Sequence, residues 1–573
     1  MDLLSRLLPA SIFLPLAGAL WICVIADKGK VAVRQSALVT TVLTALIAGW
    51  IVFHYEPVSP GSAFPAVTAP WLATTSLVNV QFAVGLDGLS VWLYGLSALL
   101  CVTAVLVSWE AIEERPAAFY SLLLLLESGM LGVFVARDII LFYIFFEFTL
   151  IPLFFLIGVW GSEDRRYAAL KFFIYTLAGS LLTFLGLLSI VLWDYNHPAF
   201  GAGGSGPMNF FIPELTENLR GHPIPYKLQL LIFLALFAGF AIKVPLFPFH
   251  TWLPLAHVQA PTAGSVILAG VLLKIGTYGF VRFSLPMLPD ATAVCVPWLL
   301  WLSVAGIIYG ALVALAQTDL KRLIAYSSVS HLGYCMLGLF ALNKLGMDGS
   351  VLQMVNHGLS TGGLFAIVGM IYERYHTREI AKLGGLTKRT PVLAFFMVLF
   401  TLSSIGLPGL NGFAGEFLIL TGMFQRAWTG APAGYSVQFI TIAALAVFGV
   451  VLGAWYMLWL VERVFFGPLK EPAHDGGHHV VHDLSFREIS ALVPLAVFIF
   501  WIGLHPAFFV DKMQSTLDPL AVSAGEIFED VMPPATTAGR DSGFRGGQVQ
   551  AGVGDSFPPH FASPSLRLSS NRD

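Results

Sequence analysis

The chain has 573 residues, of which 57% are hydrophobic and only 11% are charged, and its net charge is −3. Soluble globular domains carry about 25% charged residues, so this composition excludes them, and the weak net charge gives no sign of a nucleic-acid partner. Apolar runs of about 20 residues, the length needed to cross a hydrocarbon core of ~30 Å, follow one another along the chain. Because these runs do not alternate between polar and apolar positions, they predict α-helices rather than the strands of a membrane barrel.

The runs predict an all-α membrane protein with about 14 transmembrane helices. Its first run has no small-residue cleavage site followed by a soluble domain, so we expect it to remain as a span. The predicted spans are centred near Pro15, Thr44, Ala98, Leu125, Leu150, Leu182, Leu234, Leu268, Val304, Tyr334, Gly362, Leu402, Ala446 and Ala496.

The spans divide the chain into five predicted segments. Residues 1–115 hold the first three spans, residues 116–290 hold spans four to eight, and residues 291–468 hold spans nine to thirteen. Residues 469–510 add a loop and the last span. We expect residues 511–573 to be a disordered tail, because the end of the chain is rich in Gly, Pro and Ser.

Lysine and arginine concentrate in the connections that follow odd-numbered spans, whereas the connection from 54 to 86 has neither. By the positive-inside rule, the odd-numbered connections then face the cytoplasm and both termini face the opposite side. We expect a bacterial plasma membrane, with both termini in the periplasm. The alternative is the mitochondrial inner membrane.

Two motifs are weak indications of other functions. GAGGSG at 201–206 fits the dinucleotide pattern GxGxxG, but it lies in a loop before a proline and not between a strand and a helix. The cysteines are scattered singly, which argues against a Cys-ligated cluster. The second motif is a loop with four histidines, which are more often part of a solvated connection than of a metal site. They are His474, His478, His479 and His482.

Six ionisable side chains lie within apolar spans, where each costs roughly 2.5–3.5 kcal/mol on insertion scales. Taken singly, Glu147 and Lys243 fit a static ion pair, and the two histidines fit packing roles. Six such groups on different helices favour a proton relay, because a structural pair needs only two charges. The six are Glu147, Lys243, Lys274, His331, His357 and Glu416.

Two spans contain residues that interrupt helices. Residues 243–257 contain three prolines, and residues 403–417 are rich in glycine with one proline. These segments fall in the seventh and twelfth spans, five spans apart. Broken helices at matching positions predict two inverted five-helix repeats around a transport site, although plain kinks in packed helices are an alternative.

These segments resemble the proton-antiporter-like membrane subunits of NADH:quinone oxidoreductase (respiratory complex I), of multi-subunit Na⁺/H⁺ antiporters and of membrane-bound hydrogenases. The stretch AIKVPLFPFHTWLPLAHVQAPTAGSVILAGVLLKIGTYGFVRF at 241–283 is the most specific signature. The M-type subunits of complex I are the nearest in FFEFTLIPLFFLIGVWG at 145–161, RRYAALKFFIYTLAGSLL at 165–182 and GLPGLNGFAGEF at 406–417. The antiporter and hydrogenase subunits remain the alternatives.

The resemblance implies a role for each of four charged residues. Glu147 corresponds to the fifth-helix glutamate of the family, which pairs with the lysine of the broken seventh helix, here Lys243. Lys274 corresponds to the connecting lysine of the eighth helix. Glu416 corresponds to the charged residue of the twelfth helix, which is glutamate in M-type subunits and lysine in the L and N types.

The resemblance also implies that His250, His331 and His357 connect the two half-channels. It implies no cofactor or metal in this chain: partner subunits would carry FMN, iron–sulfur clusters and quinone. We therefore expect a subunit that relays protons, is driven by electron transfer in its partners, and lies in the lipid bilayer beside L-type and N-type neighbours.

Overall fold

The computed structural model describes residues 3–59, 61–71, 78–197, 207–472 and 481–533, which are mainly helical. The first four spans are α1 (Leu3–Val24), α2 (Lys30–Phe53), α3 (Val91–Val107) and α4 (Pro116–Val135). Between α2 and α3 lie β1 (Ala66–Pro70), β2 (Val78–Asn79) and β3 (Gln81–Gly85). Strand β1 pairs with β3 in antiparallel orientation.

The next four spans include three that are not continuous α-helices. The fifth span is α5 (Ile139–Phe148) with α6 (Leu150–Trp160), and the sixth is α7 (Arg165–Asn196). After β4 (Met208–Asn209), which pairs with β2 in parallel, and α8 (Ile212–Gly221), the seventh span is α9 (Tyr226–Lys243) with α10 (Trp252–Gln259). The eighth span combines α11 (Thr262–Ile267), α12 (Lys274–Gly279) and α13 (Leu285–Met287) with π-helical turns at Leu268–Leu272 and Phe280–Ser284.

The second half of the chain adds six further spans and a final helix. Spans nine to eleven are α14 (Pro289–Leu315), α15 (Leu320–Phe340) and α16 (Lys344–Tyr375), and the twelfth is α17 (Pro391–Ser404) with α18 (Asn411–Thr429). Spans thirteen and fourteen are α19 (Ser436–Phe465) and α20 (Phe486–Leu504), which α21 (Ala507–Val531) follows. Among the described residues, twelve helices are long and apolar enough to cross a membrane. With α3 and the α17–α18 pair they make up the predicted 14 spans.

Polar side chains mark where several spans begin. Asp138 accepts hydrogen bonds from the backbone N–H groups of Ile140 and Leu141 at the start of α5. Asp319 caps α15 in the same way, and Ser485 forms a capping box with Glu488 at the start of α20. Such caps satisfy N–H groups that have no partner within the helix, so each helix start is chemically defined.

The breaks fall where the two repeats predict them. Spans four to eight and nine to thirteen are sets of five, and the fourth member of each set is interrupted, between Lys243 and Trp252 and between Ser404 and Asn411. Because successive spans alternate in direction and five is odd, corresponding helices run in opposite directions. The second repeat is therefore inverted relative to the first, as in many transporters.

Three spans lie in the protein interior. The most apolar stretches of Thr262–Met287 and Lys344–Tyr375 are 100% buried, and that of Leu320–Phe340 is 94% buried. By contrast, α19 has only 33% of its stretch buried, and α1 and α2 have 39% each. Spans eight, ten and eleven can therefore carry ionisable groups out of contact with lipid.

The predicted disordered tail was wrong for residues 511–531, which belong to α21. Composition averaged over 511–573 concealed an amphipathic helix, whose apolar side chains recur every three to four residues. The rest of the predicted tail, residues 534–573, lies outside the described residues. The buried apolar stripe of α21 consists of Phe509, Met513, Leu517, Ala521, Ala524 and Phe528.

Helix α21 connects parts of the chain that are far apart in sequence. Near its start, the hydroxyl of Thr516 accepts a hydrogen bond of 2.9 Å from the backbone N–H of Gly88. Near its end, Glu529 forms an ion pair of 3.0 Å with Arg426 of α18. The helix thus joins the N-terminal spans to the second repeat, on the side of the even-numbered connections.

A buried ion cluster on the same side joins the start of α3 to spans five and eight. The guanidinium of Arg282 donates two hydrogen bonds to Asp87, of 2.6 and 2.9 Å, and Arg137 lies 3.5 Å from the same carboxylate. Burial alone would raise the pKa of Asp87, but the charges of Arg282 and Arg137 lower it to about 2. The carboxylate thus stays ionised and holds the outer end of span eight.

We predict that ending the chain after His505 lowers its thermal unfolding temperature in detergent by several degrees. Each apolar side chain of α21 that loses its packing removes about 1.5–3 kcal/mol of burial free energy. Ending the chain after Pro533 is the matched control, and we expect it to match the full chain. Equal unfolding temperatures for both truncations would contradict a packing role for α21.

We also predict that Asp87→Asn destabilises the fold by about 3–5 kcal/mol, because two buried arginines lose their counter-charge. The folded pKa of about 2 lies below the unfolded value of about 3.9, so this stabilisation is complete above pH ~4 and is lost as the pH falls through ~2. Thermal unfolding at pH 7 and pH 5 should show the same deficit. Asp27→Asn, on an exposed carboxylate, serves as the control, and a wild-type unfolding temperature for Asp87→Asn would refute the prediction.

Candidate functional site

Four of the predicted residues meet at the centre of the chain and form what we name the central row: Lys274, His357, His331 and Glu416. The ammonium of Lys274 lies 2.8 Å from Nδ1 of His357. The His357 and His331 rings are 5.7 Å apart, and Nδ1 of His331 lies 3.1 Å from Oε1 of Glu416. All four residues are at most 6% exposed. Proton-binding atoms therefore follow one another across spans eight, eleven, ten and twelve.

A π-helical turn holds the first member of the row. In Leu268–Leu272 the backbone N–H of Leu273 bonds to the carbonyl of Leu268, five residues back. The carbonyl of Ala269, in the same turn, accepts a hydrogen bond from the ammonium of Lys274. π turns widen a helix and occur often at functional sites, and here the turn supplies a polar backbone atom to a fully buried lysine.

The break in span twelve shapes the surroundings of Glu416. Gly406 has φ +74°, a conformation that favours glycine,, and a Cβ at this position would lie 3.2 Å from Oε2 of Glu416. Oε1 also accepts a hydrogen bond of 3.1 Å from Gln353. The loop thus approaches the carboxylate closely because Gly406 has no side chain.

Polar groups also surround the two histidines of the row. Nε2 of His331 lies 3.1 Å from the hydroxyl of Ser404, and the hydroxyls of Ser360 and Ser403 are 2.6 Å apart. Within the described ranges, Nε2 of His357 has no hydrogen-bond partner, although it lines a small polar cavity shared with His331. Polar groups therefore surround the space between the rings of His331 and His357, which are not in contact.

The first repeat carries the predicted pair Glu147 and Lys243. Lys243 is 6% exposed at the end of α9, and its ammonium lies 4.5 Å from the centroid of the Phe146 ring. Among residues 3–59, 61–71, 78–197, 207–472 and 481–533, no ion pair within 4.0 Å joins it to Glu147. The coupling of Glu147 with Lys243 therefore stays a prediction.

An apolar gap separates Lys243 from the central row. A narrow cavity beside Lys243 is lined by Leu272 and Leu273, the two residues that precede Lys274. No hydrogen bond between the described side chains crosses this gap. Proton transfer between the two lysines therefore requires water or movement of side chains in this region.

His250 lies in the break of span seven, apart from the central row. Its ring is 5.1 Å from Tyr309 and 5.8 Å from Phe247, and its Nδ1 has no hydrogen-bond partner in the part of the chain that the structure describes. No described hydrogen bond joins it to His331 or His357, so its connecting role stays a prediction.

His257 was not predicted as a site residue, yet it is fully buried and stacks on Phe365 at 4.4 Å. Neither ring nitrogen has a hydrogen-bond partner among the described residues. Its position 14 residues after Lys243, within the signature stretch, was the available signal.

Lys321 belongs to the lysines and arginines of the odd-numbered connections, and its burial was not predicted. The residue is only 5% exposed. Its ammonium donates a hydrogen bond of 2.5 Å to the carbonyl of Ala260. It lines a cavity of about 160 Å³ with Glu373 and Arg378, at the ends of spans that meet odd-numbered connections. The cavity therefore gives a buried lysine a polar opening on that side.

Glu127 was also missed. It is fully buried in α4, and neither carboxylate oxygen has a hydrogen-bond partner within the described part of the chain. The signal was available, since a glutamate within the run LLLLLES is an intramembrane charge by the same criterion as Glu147.

The weak motifs of the sequence contribute nothing to this site. The stretch 201–206 and the residues His474, His478 and His479 lie outside the described residues. The backbone carbonyl of His482 accepts a hydrogen bond from Arg374. Where the chain is described, no group of three or more His, Cys, Asp or Glu residues is placed to hold a metal ion.

Residues 136–455 match the family described as NADH:quinone oxidoreductase/Mrp antiporter, TM. NADH-quinone oxidoreductase subunit M of Rhodobacter capsulatus is 41% identical over 514 residues, which cover 89% of this chain and 95% of that protein. NADH-ubiquinone oxidoreductase chain 4 of Marchantia polymorpha is 39% identical over 512 residues, with coverages of 89% and 96%.

Solved structures show the same likeness. A chain of respiratory complex I from Thermus thermophilus with bound NADH superposes with a TM-score of 0.76 at 31% identity, over 91% of this chain and 99% of that chain. A chain of the membrane-bound sulfane sulfur reductase, an archaeal respiratory membrane complex, gives a TM-score of 0.72 at 23% identity, over 89% and 77%. The second likeness shows a shared fold alone.

Proposed function

The chain belongs to the NADH:quinone oxidoreductase/Mrp antiporter transmembrane family, and from that premise we propose that it relays protons across the membrane as a subunit of a respiratory NADH:quinone oxidoreductase. Relatives that match it over most of its length are M-type subunits of that enzyme. Other subunits of such a complex are then its partners. The proposal for its mechanism rests on the central row.

The row supports proton transfer because two of its three neighbouring pairs of groups are close enough to exchange a proton directly. The Lys274–His357 and His331–Glu416 contacts are of hydrogen-bond length, and imidazole accepts a proton on one nitrogen while it donates from the other. Only the 5.7 Å separation of the two rings needs a water or a ring movement. That point would be the controlled step within the row.

We propose proton uptake from the cytoplasmic side through the cavity at Lys321. The cavity lies at odd-numbered connections, which carry most of the lysine and arginine, and the positive-inside rule places such connections in the cytoplasm. Lys321 then receives the proton, and His257, which is fully buried with neither ring nitrogen bonded among the described residues, passes it to the row. Both termini would face the periplasm.

Glu147 and Lys243 would control the row rather than continue it. A change in the distance between two charges in a low-dielectric interior alters their interaction by several kcal/mol. Drawing Lys243 towards Glu147, away from the Phe146 ring, would therefore change the positive charge that faces Lys274 across the gap. The break in the seventh span begins where α9 ends, at Lys243, so the backbone there can accommodate this movement.

The energy for transport would come from partner subunits. We propose that electron transfer through FMN, iron–sulfur clusters and quinone in those partners moves the charges near Glu147. L-type and N-type subunits would flank this chain on opposite sides, in a bacterial plasma membrane. No redox centre is proposed for this chain, whose role is that of a translocase subunit.

We predict that Lys274→Met abolishes proton pumping in the assembled complex, with at least about a tenfold loss. Methionine preserves the apolar length of the side chain, but it removes the group that contacts His357. Pumping is measured as acidification of inverted membrane vesicles during NADH oxidation, beside the rate of quinone reduction.

The matched control for this variant is Lys344→Met, because Lys344 lies at the exposed start of α16 with its side chain 55% accessible. Wild-type pumping is expected in the control. A Lys274→Met complex that assembles and pumps at the wild-type ratio would refute the role of the central row.

We further predict that Glu416→Lys retains more pumping than Glu416→Ala. A lysine still offers a titratable group beside His331, whereas alanine ends the row one group early. Pumping ratios in the same vesicle assay provide the comparison, with Glu462→Ala, on an exposed side chain of α19, as the control. Equal losses in the two Glu416 variants would contradict the prediction.

A further inference from the structure

An apolar cavity lies away from the central row, between α2, α3, α16, α20 and α21. It has a volume of about 210 Å³, and its walls include Val52, Trp92, Leu99 and Phe498. Gly49 lines it, and a Cβ built there meets nothing within 4 Å. The empty space thus lies directly against the backbone of α2.

The cavity borders a surface that faces the membrane. On α2, the side chains of Leu46 and Trp50 are 64% and 51% exposed, and Phe53, which lines the cavity, is 48% exposed. Apolar side chains with this exposure are typical of contact with lipid tails. An apolar chain can therefore reach the cavity from the bilayer.

Lys512 lies at the outer rim of the cavity. Lys512 follows the cavity residue Phe509 by one turn of α21, and its ammonium donates a hydrogen bond of 2.9 Å to the carbonyl of Tyr55. Weaker contacts of 3.4 Å reach the carbonyls of Val52 and Phe53. The ammonium also lies 5.7 Å from the ring centroids of Tyr55 and Phe508. No described carboxylate lies within ion-pair distance of Lys512, so its positive charge has no acidic partner among the described residues.

Aromatic side chains place this rim at the level of lipid headgroups. The partly exposed Trp501 ring stacks on Phe53 at 5.9 Å. Tryptophan is enriched at the boundary between hydrocarbon and water. The ammonium of Lys512 therefore lies where a phospholipid phosphate would be found.

We propose that this cavity binds one acyl chain of an anionic phospholipid whose phosphate pairs with Lys512. The cavity accounts for the apolar chain, and a lysine without an acidic partner accounts for the headgroup charge. The lipid would lie between α2, α20 and α21 and fill the space beside Gly49. This site is separate from the proton relay and does not depend on it.

Native mass spectrometry of the full chain in detergent tests the site, with phosphatidylglycerol and phosphatidylcholine of identical acyl chains as probes. We expect the wild type to retain one phosphatidylglycerol, about fivefold more strongly than phosphatidylcholine, because one lysine near the surface favours an anionic lipid by that factor. Gly49→Leu, which fills the cavity, should lose the bound lipid, whereas Gly49→Ala should keep it. Lys512→Gln should reduce phosphatidylglycerol retention to the level of phosphatidylcholine.

The variants separate a lipid site from other roles. If Lys512 serves only to cap α2, Lys512→Gln lowers the unfolding temperature without changing lipid retention, which would overturn the proposal. Wild-type retention of phosphatidylglycerol by Gly49→Leu would overturn it as well, and so would equal retention of the two lipids by the wild type. Because alanine and leucine both favour helix over glycine, loss of folding is not expected to obscure the Gly49 comparison.

Discussion

The cost of a charge in hydrocarbon is the constraint on which the rest of this structure depends. Each ionisable group in the membrane needs a protein environment rather than lipid around it, and spans eight and eleven satisfy this need because their most apolar stretches are entirely buried. The other spans act as the shell that surrounds them. Lys274 and His357 lie on these two central helices, and His331 lies on the almost equally buried span ten. The surrounding spans thus shield the helices on which the four side chains of the central row meet.

Departures from the regular α-helix supply the polar backbone that this interior lacks. A π turn offers the Ala269 carbonyl to Lys274, and the break in span twelve brings Gly406 against Glu416. A continuous helix would engage these backbone groups internally. Each irregularity lies beside an ionisable side chain, so regular segments hold the protein together while irregular ones hold the charges.

The spans and both breaks were predictable because hydrophobicity and the residues that interrupt helices are local properties of the chain. The central row was predictable only as a set of candidates, since the contacts of His357 join residues 83 positions apart. Lys321 and His257 were missed because depth in the membrane was judged from position along a run rather than from packing. Helix α21 was missed because composition was averaged over a long segment that also contained Gly-, Pro- and Ser-rich residues. The lack of an ion pair between Glu147 and Lys243 depends on side-chain placement near Phe146, which the sequence does not specify.

The atoms of the central row also determine which ion can travel along it. Three of its four members present nitrogen, as an ammonium or an imidazole, and only Glu416 presents a carboxylate, which already accepts hydrogen bonds from Gln353 and His331. Alkali cations are held by several oxygen ligands, whereas a neutral amine or imidazole nitrogen binds a proton far better than such a cation. Among its own four members the row therefore favours protons through ligand chemistry, because one carboxylate is the only oxygen ligand that those members supply.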